Sequence, residues 1–190
     1  MSIVLASASP RRAELLHQIG LDFDVSPSDI DESVHANEPV VDYVQRMAAT
    51  KAAVARQRHS SEDTIIIAAD TTVAIDNTIL GKPEDEAQCL DMLASLSGRI
   101  HMVHTAVVVS QLDYAGKALS SSEVSFRHID EAEAKNYWRT GEPKDKAGSY
   151  AIQGKGAVFI DKITGSYSGI VGLPLFELTQ LLRDMDVYTL

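Results

Sequence analysis

Apolar residues recur along the chain with two different periods, and the period indicates which segments are strands and which are helices. Continuous apolar runs at residues 3–6 and 64–69 are typical of buried strands. Between residues 39 and 58 the apolar positions recur every three or four residues, which predicts an amphipathic helix. The same patterns, with capping and turn residues, predict strands over 72–75, 100–111, 117–126 and 157–163, and helices over 10–20, 84–98, 130–141 and beyond 174.

Residues between these segments are typical of helix starts and of turns. Ser9 and Pro10 suit an N-cap and a first helical residue. Residues 76–77 and 113–116 are predicted turns between strands. Because helices and strands interleave without a repeat or a linker, we predict an α/β fold with a mixed sheet, in a single domain over residues 1–190.

Charge and composition narrow the possible partners. The formal net charge is −10, which argues against a nucleic-acid or membrane partner. No apolar stretch reaches the ~18 residues of a membrane span, and the N-terminus lacks a signal-peptide pattern, so we expect a cytoplasmic protein. Cys89 is the only cysteine, which excludes a disulfide within the chain and a cysteine metal cage. We expect it in the core rather than as a reactive thiol.

Residues 7–12, Ser-Ala-Ser-Pro-Arg-Arg, occupy a predicted strand-to-helix turn. Free N–H groups and the positive end of the helix dipole suit such a turn to anions. Arg11 and Arg12 each oppose that dipole by ~0.3–1 kcal/mol. A multivalent anion beside them explains both arginines better than a plain Ser-Pro cap with two surface cations does. Ser7, Ser9, Arg11 and Arg12 are therefore candidate phosphate ligands.

Lys51 lies on the apolar stripe of the predicted helix, four residues after Met47 and three before Val54. A lysine at this position either extends from the edge of the stripe into solvent or stays inward. An inward ammonium needs a carboxylate or a phosphate as its partner. The periodicity leaves both alternatives open.

Asp70 follows the apolar run 64–69 and is predicted to end a buried strand, where ligand clefts of α/β proteins form. A carboxylate there can bind a metal or accept a proton from water, but it is equally typical of a plain turn. Lys82 stands in a Gly-Lys-Pro turn, and the glycine-rich segment 148–156 allows a ligand to approach the backbone. Each of these last two signals is weak by itself.

Several familiar sites are excluded by spacing. Gly154 and Lys155 are not followed by serine or threonine, so there is no P-loop. Tyr167 stands where a nucleophile elbow needs serine. His101 and His104, three residues apart in a predicted strand, point to opposite faces, so we predict no zinc site.

Five short motifs follow one another along nearly the whole chain. They are S-A-S-P-R-R at 7–12, A-A-D-T-T-V at 68–73, G-K-P at 81–83, G-S-Y-A-I-Q-G at 148–154 and G-S-Y-S-G-I-V-G-L-P at 165–174. In this order they resemble the Maf family of nucleotide pyrophosphatases. The resemblance implies a mixed twisted sheet flanked by helices, with two lobes around a central nucleotide cleft, as in the inosine triphosphatase-like fold.

The resemblance also implies an activity. Family members hydrolyse nucleoside triphosphates between the α and β phosphates, with a divalent metal such as Mg²⁺ or Mn²⁺ and usually as homodimers. The family pattern assigns to Asp70 the acceptance of a proton from the attacking water. It places Arg12, Glu32, Lys51 and Lys82 around the phosphates and the metal, with Glu32 and Asp70 as metal ligands and Lys51 and Lys82 as catalytic cations.

Three further positions, Arg11, Thr71 and Gln153, resemble the branch of the family that acts on dTTP and UTP. The Gln153 amide suits uracil or thymine because it can donate to O4 and accept from N3–H. A flipped amide would fit cytosine, so the chemistry alone leaves the base open. A rival from another class is a non-catalytic nucleotide-binding regulator of cell division, which would need the basic pocket but no carboxylate near the α phosphate.

Overall fold

The computed structural model describes residues 1–112 and 114–189. Within these residues the chain forms one seven-stranded mixed sheet with helices packed on it, which confirms the predicted fold class. The strands are β1 (Ser2–Leu5), β2 (Asp24–Val25), β3 (Thr64–Ile75), β4 (Thr78–Leu80), β5 (Ile100–Gln111), β6 (Tyr114–Phe126) and β7 (Ile160–Thr164). The helices are α1 (Pro10–Gln18), α2 (Val40–Arg58), α3 (Glu86–Leu96), α4 (Glu131–Arg139), α5 (Tyr167–Val171) and α6 (Leu175–Arg183).

The sheet combines parallel and antiparallel pairs in the order β2-β1-β3-β5-β6-β7. β1 runs parallel to β2 and β3, whereas every pair from β3 to β7 along this order is antiparallel. β4 pairs with the end of β3 through a turn at Asp76 and Asn77, which both have positive φ. Positive φ at both positions is typical of a two-residue hairpin turn, so the predicted turn is confirmed.

The central strand β3 separates two cores. Its residues Ile65 and Ile67 pack with α1 and α6, whereas Ile66 and Ala68 pack with α2 on the other face. Successive strand residues point to opposite faces, and helices cover both, which explains the uninterrupted apolar run. Farther along β3, Val73 belongs to another core with α3 and α4. β3 therefore links the two regions between which the resemblance predicts a cleft.

Three predicted segments differ from the structure. Instead of breaking after Ala69, β3 continues through the polar residues 70–72, because β5 pairs with it along this stretch. Residues 155–159 form a 3₁₀ helix, so the strand predicted over 157–163 begins only at Ile160. The strand predicted to start at Lys117 begins at Tyr114, and Asp113 of the predicted turn lies outside the described residues.

Buried side chains agree with two expectations. Cys89 is fully buried in the core that contains α3, as predicted. His101 is buried and contacts Tyr150, whereas His104 is half-buried beside Ser121, consistent with opposite faces of β5. Across residues 1–112 and 114–189, no helix combines the length and the hydropathy that a bilayer crossing requires.

Candidate active site

A cavity opens where β1 ends beside the longer strand β3. Leu5, the last residue of β1, pairs with Ile67, and β3 continues beyond that point without this neighbour. The cavity measures about 990 Å³ and extends from the end of β1 to residues 151–154 of the glycine-rich segment. Asp70 lines it from the middle of β3, so the prediction that Asp70 ends a strand is wrong. The cavity nevertheless lies at the carboxyl end of a parallel strand, β1, as ligand clefts of α/β sheets do.

All ten side chains predicted for the site line this one cavity. They are Ser7, Ser9, Arg11, Arg12, Glu32, Lys51, Asp70, Thr71, Lys82 and Gln153. They come from the β1–α1 turn, the first turn of α1, the loop before α2, the helix α2, the strand β3 and two later turns. The structure therefore brings together residues that lie up to 146 positions apart in the sequence.

Lys51 connects the two carboxylates of the cavity. Its ammonium nitrogen Nζ lies 2.6 Å from Asp70 Oδ1 and 2.6 Å from Glu32 Oε1. The side chains of Lys51 and Asp70 are 11% and 12% exposed, whereas Glu32 is 52% exposed. The inward alternative for Lys51 is therefore the one found, because α2 covers the face of β3 to which Asp70 points.

The two carboxylates have different electrostatic surroundings. Burial raises the pKa of Asp70; Lys51 and Arg12 oppose the rise, and Glu32 adds to it. Burial would also raise the pKa of Glu32, but Lys51, Lys82 and Arg12 together lower it. The surroundings therefore shift the two pKa values in opposite directions, upward for Asp70 and downward for Glu32. Its Oδ1 is bound by Lys51, whereas Oδ2 lies 3.5 Å from the hydroxyl of Thr72.

Arg12 is held by neutral groups. Its guanidinium donates from Nε to the carbonyl of Gly172 at 2.8 Å, from Nη1 to Ser7 Oγ at 3.0 Å and from Nη2 to Thr71 Oγ1 at 3.3 Å. Thr71 Oγ1 also accepts from Thr105 at 3.0 Å. These contacts fix the guanidinium plane in the cavity without neutralising its charge, as a site for an anion requires.

The start of α1 also presents polar groups to the cavity. Ser7 Oγ accepts a hydrogen bond from the N–H of Ser9 at 3.2 Å. Ser9 occupies the N-cap position, but its hydroxyl makes no capping hydrogen bond in the structure. An N-cap hydroxyl that does not bind its own helix remains available to a ligand.

Helix α2 holds the acidic loop that carries Glu32. The Tyr43 hydroxyl donates to the carbonyl of Glu32 at 3.0 Å, and Arg46 donates to the carbonyl of Ser33 at 2.9 Å. Tyr43 also lines the cavity, although it is not among the residues predicted from the sequence. A signal was present, because Tyr43 precedes Lys51 by eight residues and so lies on the same face of the helix.

A second group of cations consists of Arg11, Lys82 and Lys146. Arg11 Nε is buried and has no hydrogen-bond partner among the described residues. Burial lowers the pKa of Lys146, Arg11 and Lys82 lower it further, and Asp145 and Glu142 oppose this. In the part of the chain that the structure describes, no carboxylate lies within 4.0 Å of the nitrogen of Lys82 or Lys146. Lys146, just before the glycine-rich segment, is not among the residues predicted from the sequence.

Charge in the cavity differs from charge on the whole chain. The lining contains five basic side chains (Arg11, Arg12, Lys51, Lys82 and Lys146) and five acidic ones (Glu14, Glu32, Asp70, Glu142 and Asp145). Their formal sum is zero, compared with −10 for the chain. Basic side chains are therefore concentrated here against an acidic background, which favours an anionic ligand.

Similarity to known proteins extends along nearly the whole chain. The family model described as Maf-like protein matches residues 2–185. The dTTP/UTP pyrophosphatase of Methylobacillus flagellatus is 52% identical, with 97% of this chain and 93% of that protein aligned. The dTTP/UTP pyrophosphatase of Aromatoleum aromaticum is 47% identical over 95% of this chain and 94% of its own length.

Two more distant similarities complete the comparison. The nucleoside triphosphate pyrophosphatase of Haemophilus ducreyi is 45% identical, with 99% of this chain and 97% of that protein aligned. The crystal structure of protein VC0702 from Vibrio cholerae is 15% identical and aligns with a TM-score of 0.38, over 63% of this chain and 60% of its own. The family model and the sequence relatives both cover nearly the whole chain, and the chain belongs to the Maf family.

Proposed function

We propose that this chain hydrolyses nucleoside triphosphates, with dTTP and UTP as the preferred substrates, to a nucleoside monophosphate and pyrophosphate. The observation that carries the proposal is the buried carboxylate of Asp70 among cations in one cavity. Relatives aligned over almost their whole length have the names dTTP/UTP pyrophosphatase and nucleoside triphosphate pyrophosphatase. A regulator that only bound nucleotides would not need a base in this cavity.

The triphosphate lies across the N-terminus of α1. Ser7 and Ser9 offer hydroxyls beside the first N–H groups of the helix, where anions bind favourably. Arg12, Lys51 and Lys82 supply positive charge from three different elements. Because Arg12 is already oriented by neutral partners, little side-chain entropy is lost when it binds phosphate.

Asp70 accepts a proton from water as the water oxygen bonds to the α phosphorus. The bond from that phosphorus to the oxygen bridging to the β phosphate breaks, and pyrophosphate leaves with the bridging oxygen. Burial, which raises the pKa of Asp70, makes it a better proton acceptor, and general-base catalysis typically contributes ~10²–10⁴ in rate. Lys51 and Lys82 neutralise charge that develops on the phosphate oxygens.

A divalent cation fits the donors of this cavity. The lining charges cancel, so a triphosphate brings more negative charge than the side chains can neutralise. No group of three or more His, Cys, Asp or Glu residues suited to hold a metal alone occurs among the described residues. Mg²⁺ is typically bound through one or two carboxylates together with substrate phosphates, and Glu32 and Asp70 would supply these. When bound, Mg²⁺ or Mn²⁺ would neutralise phosphate charge and polarise the scissile bond.

Gln153 is the proposed contact to the base, and Arg11 and Thr71 line the same cavity. Its amide N–H₂ would donate to O4 of uracil or thymine, and its carbonyl would accept from N3–H. Gln153 is exposed, so it can form both hydrogen bonds without first breaking internal ones.

Pyrophosphate release from UTP, dTTP, CTP, ATP and GTP, with Mg²⁺ or Mn²⁺, tests the proposal. We expect turnover to be highest with UTP and dTTP. Asp70→Asn should lower kcat by ~10²–10⁴ while the Kd of a non-hydrolysable UTP analogue changes little. Asp76→Asn, whose carboxylate pairs with Arg99 outside the cavity, is the matched control and should keep wild-type kcat. Nucleotide binding without pyrophosphate release would instead favour the regulator.

Assembly and location stay predictions. The family resemblance predicts a homodimer, which sedimentation equilibrium at micromolar concentration would test. The predicted cytoplasmic location would be tested by fractionation of cells that express the chain.

A further inference from the structure

The segment that carries Gln153 is anchored by the side chain of Tyr137, which extends from α4. The Tyr137 hydroxyl accepts a hydrogen bond from the N–H of Ala151 at 3.3 Å and donates to Glu142 Oε1 at 2.7 Å. One end of the Gln153 segment is therefore tied to α4, and the same hydroxyl orients the Glu142 carboxylate.

Glu142 binds the other end of the segment. Its Oε2 accepts from the N–H of Lys155 at 2.8 Å, and its Oε1 accepts from the N–H of Gly156 at 3.0 Å. With Tyr137, the carboxylate thus accepts three hydrogen bonds. Gln153 lies between the two anchored ends, only two residues from Ala151 and two from Lys155.

The glycines of this segment fit against the same two side chains. A Cβ atom at Gly154 would overlap the Glu142 carboxylate, and one at Gly156 would lie 2.6 Å from the Tyr137 hydroxyl. These two glycines are required by the close approach of Glu142 and Tyr137. Ligand approach, which the sequence alone suggested, is not needed to explain them.

The anchor is charged. Burial would raise the pKa of Glu142, but hydrogen bonds from Lys155, Tyr137 and Gly156 lower it overall. Burial and the adjacent Glu142 raise the pKa of Tyr137, so its hydroxyl remains a donor. Hydrogen bonds to an ionised acceptor are stronger than those between neutral groups. The Glu142 carboxylate therefore holds the Gln153 segment more firmly than a neutral acceptor would.

We propose that Glu142 and Tyr137 are positioning residues that set the base preference by holding Gln153 in place. The inference rests on the proposed function, in which Gln153 contacts the base. Neither residue needs to touch the substrate. An amide that contacts the base distinguishes uracil from cytosine only if it is held in one orientation. An amide that is free to move or flip can form hydrogen bonds with either base.

Glu142→Gln tests the anchor with the smallest change in shape. An amide has only one oxygen, so its N–H₂ group must face at least one of the donors that Glu142 now binds. We expect the ratio of kcat/KM for UTP to that for CTP to fall about three- to tenfold. Glu133→Gln is the matched control because Glu133 pairs with Arg127 and does not line the cavity. That ratio should be unchanged in the control.

A double-mutant cycle separates positioning from a general structural effect. In a Gln153→Ala background, Glu142→Gln should cause no further fall in the UTP/CTP ratio, because the residue through which it acts is absent. Equal losses with UTP and CTP, or the same fall of the ratio in both backgrounds, would overturn the proposal. Tyr137→Phe, which removes one hydroxyl and keeps the ring, should also lower the UTP/CTP ratio. This variant replaces Glu142→Gln in the test if the Glu142→Gln protein does not fold.

Binding measurements keep this inference distinct from the proposed function. The ratio of Kd values for non-hydrolysable UTP and CTP analogues should move with Glu142→Gln even if no turnover is observed. If the wild-type chain released no pyrophosphate, the proposed activity would be contradicted. If the wild type turned over and Glu142→Gln kept the wild-type ratios of both kcat/KM and Kd, only the positioning role would be contradicted.

Discussion

Lys51→Met removes the cation that lies between Asp70 and Glu32. Removal of one partner of a buried ion pair typically costs ~3–5 kcal/mol because the remaining charge is uncompensated. Glu32 is half exposed, so solvent screens its share of the loss, and methionine suits the apolar stripe. We therefore expect the free energy of unfolding to fall by ~2–4 kcal/mol at pH 8. For a chain of this length that corresponds to a fall in Tm of about 5–12 °C.

The loss should depend on pH. Burial raises the pKa of Asp70, and Lys51 is the largest of the influences that lower it, so the substitution raises this pKa further. A carboxyl group with a folded pKa above its unfolded pKa contributes stability at low pH that is lost as pH rises through the folded pKa. Lowering the pH shifts Asp70 of the variant toward its neutral form, whereas raising the pH requires the variant to bury more negative charge. Its deficit relative to wild type should therefore be smaller at pH 5.

Calorimetry of the ligand-free proteins in the presence of a chelator, at pH 5 and pH 8, would measure this difference. Lys162→Met, at an exposed lysine of β7, is the matched control and should leave Tm unchanged. The apolar stripe considered alone predicts the opposite sign, with stability unchanged or raised. A Lys51→Met protein as stable as wild type at pH 8, or a deficit equal at both pH values, would refute the role of Lys51 as the partner of Asp70.

Three further predictions follow from other side chains. Gln153→Glu should lower kcat/KM for UTP and dTTP about tenfold, because a carboxylate cannot donate to O4, and should lower it less for CTP; steady-state kinetics would show this, and an equal fall for all three would contradict base contact. Lys146→Met should raise KM for UTP and weaken inhibition by pyrophosphate about tenfold. The control Lys144→Met should change neither quantity. Equal effects of the two substitutions would exclude Lys146 from phosphate binding. Burial lowers the pKa of His101 to about 4. The unfolded chain therefore binds a proton at this histidine before the folded chain does, and stability is lost as the pH falls below the pKa of His101 in the unfolded chain. Between pH 7 and pH 4.5 wild type should lose about 2–3 kcal/mol more than His101→Gln in urea unfolding, and parallel pH curves would contradict this.

The local pattern of apolar residues predicted most of the strands and helices that surround the site. The apolar run before Asp70 and the helical stripe around Lys51 both predicted real elements, because a strand covered on both faces and a helix packed on one face leave different periods. The polar residues 70–72 concealed the continuation of β3, since the pairing of Asp70 with Ala106 is a long-range contact. Hydrophobic periodicity reflects only the local order of apolar residues and does not show which distant strand pairs with β3.

The inward orientation of the Lys51 side chain could not be predicted for the same reason, because it depends on long-range contacts. Its two partners, Glu32 and Asp70, lie 19 residues away on either side, and no periodicity within α2 indicates them. The motif resemblance did bring Lys51, Asp70 and Glu32 to one site, because it compares the chain with folded proteins. It gave no indication of Glu142 or Tyr137, whose contacts with the Gln153 segment emerge only from the fold.

The phosphorus atom that water attacks distinguishes the proposed hydrolysis from its alternatives. UTP is hydrolysed by the wild-type protein in water labelled with oxygen-18, and mass spectrometry locates the label in the products. Attack on the α phosphorus, with Asp70 as base, predicts one labelled oxygen in UMP and none in pyrophosphate. Label in pyrophosphate or in orthophosphate, or the appearance of UDP as the first product, would contradict it.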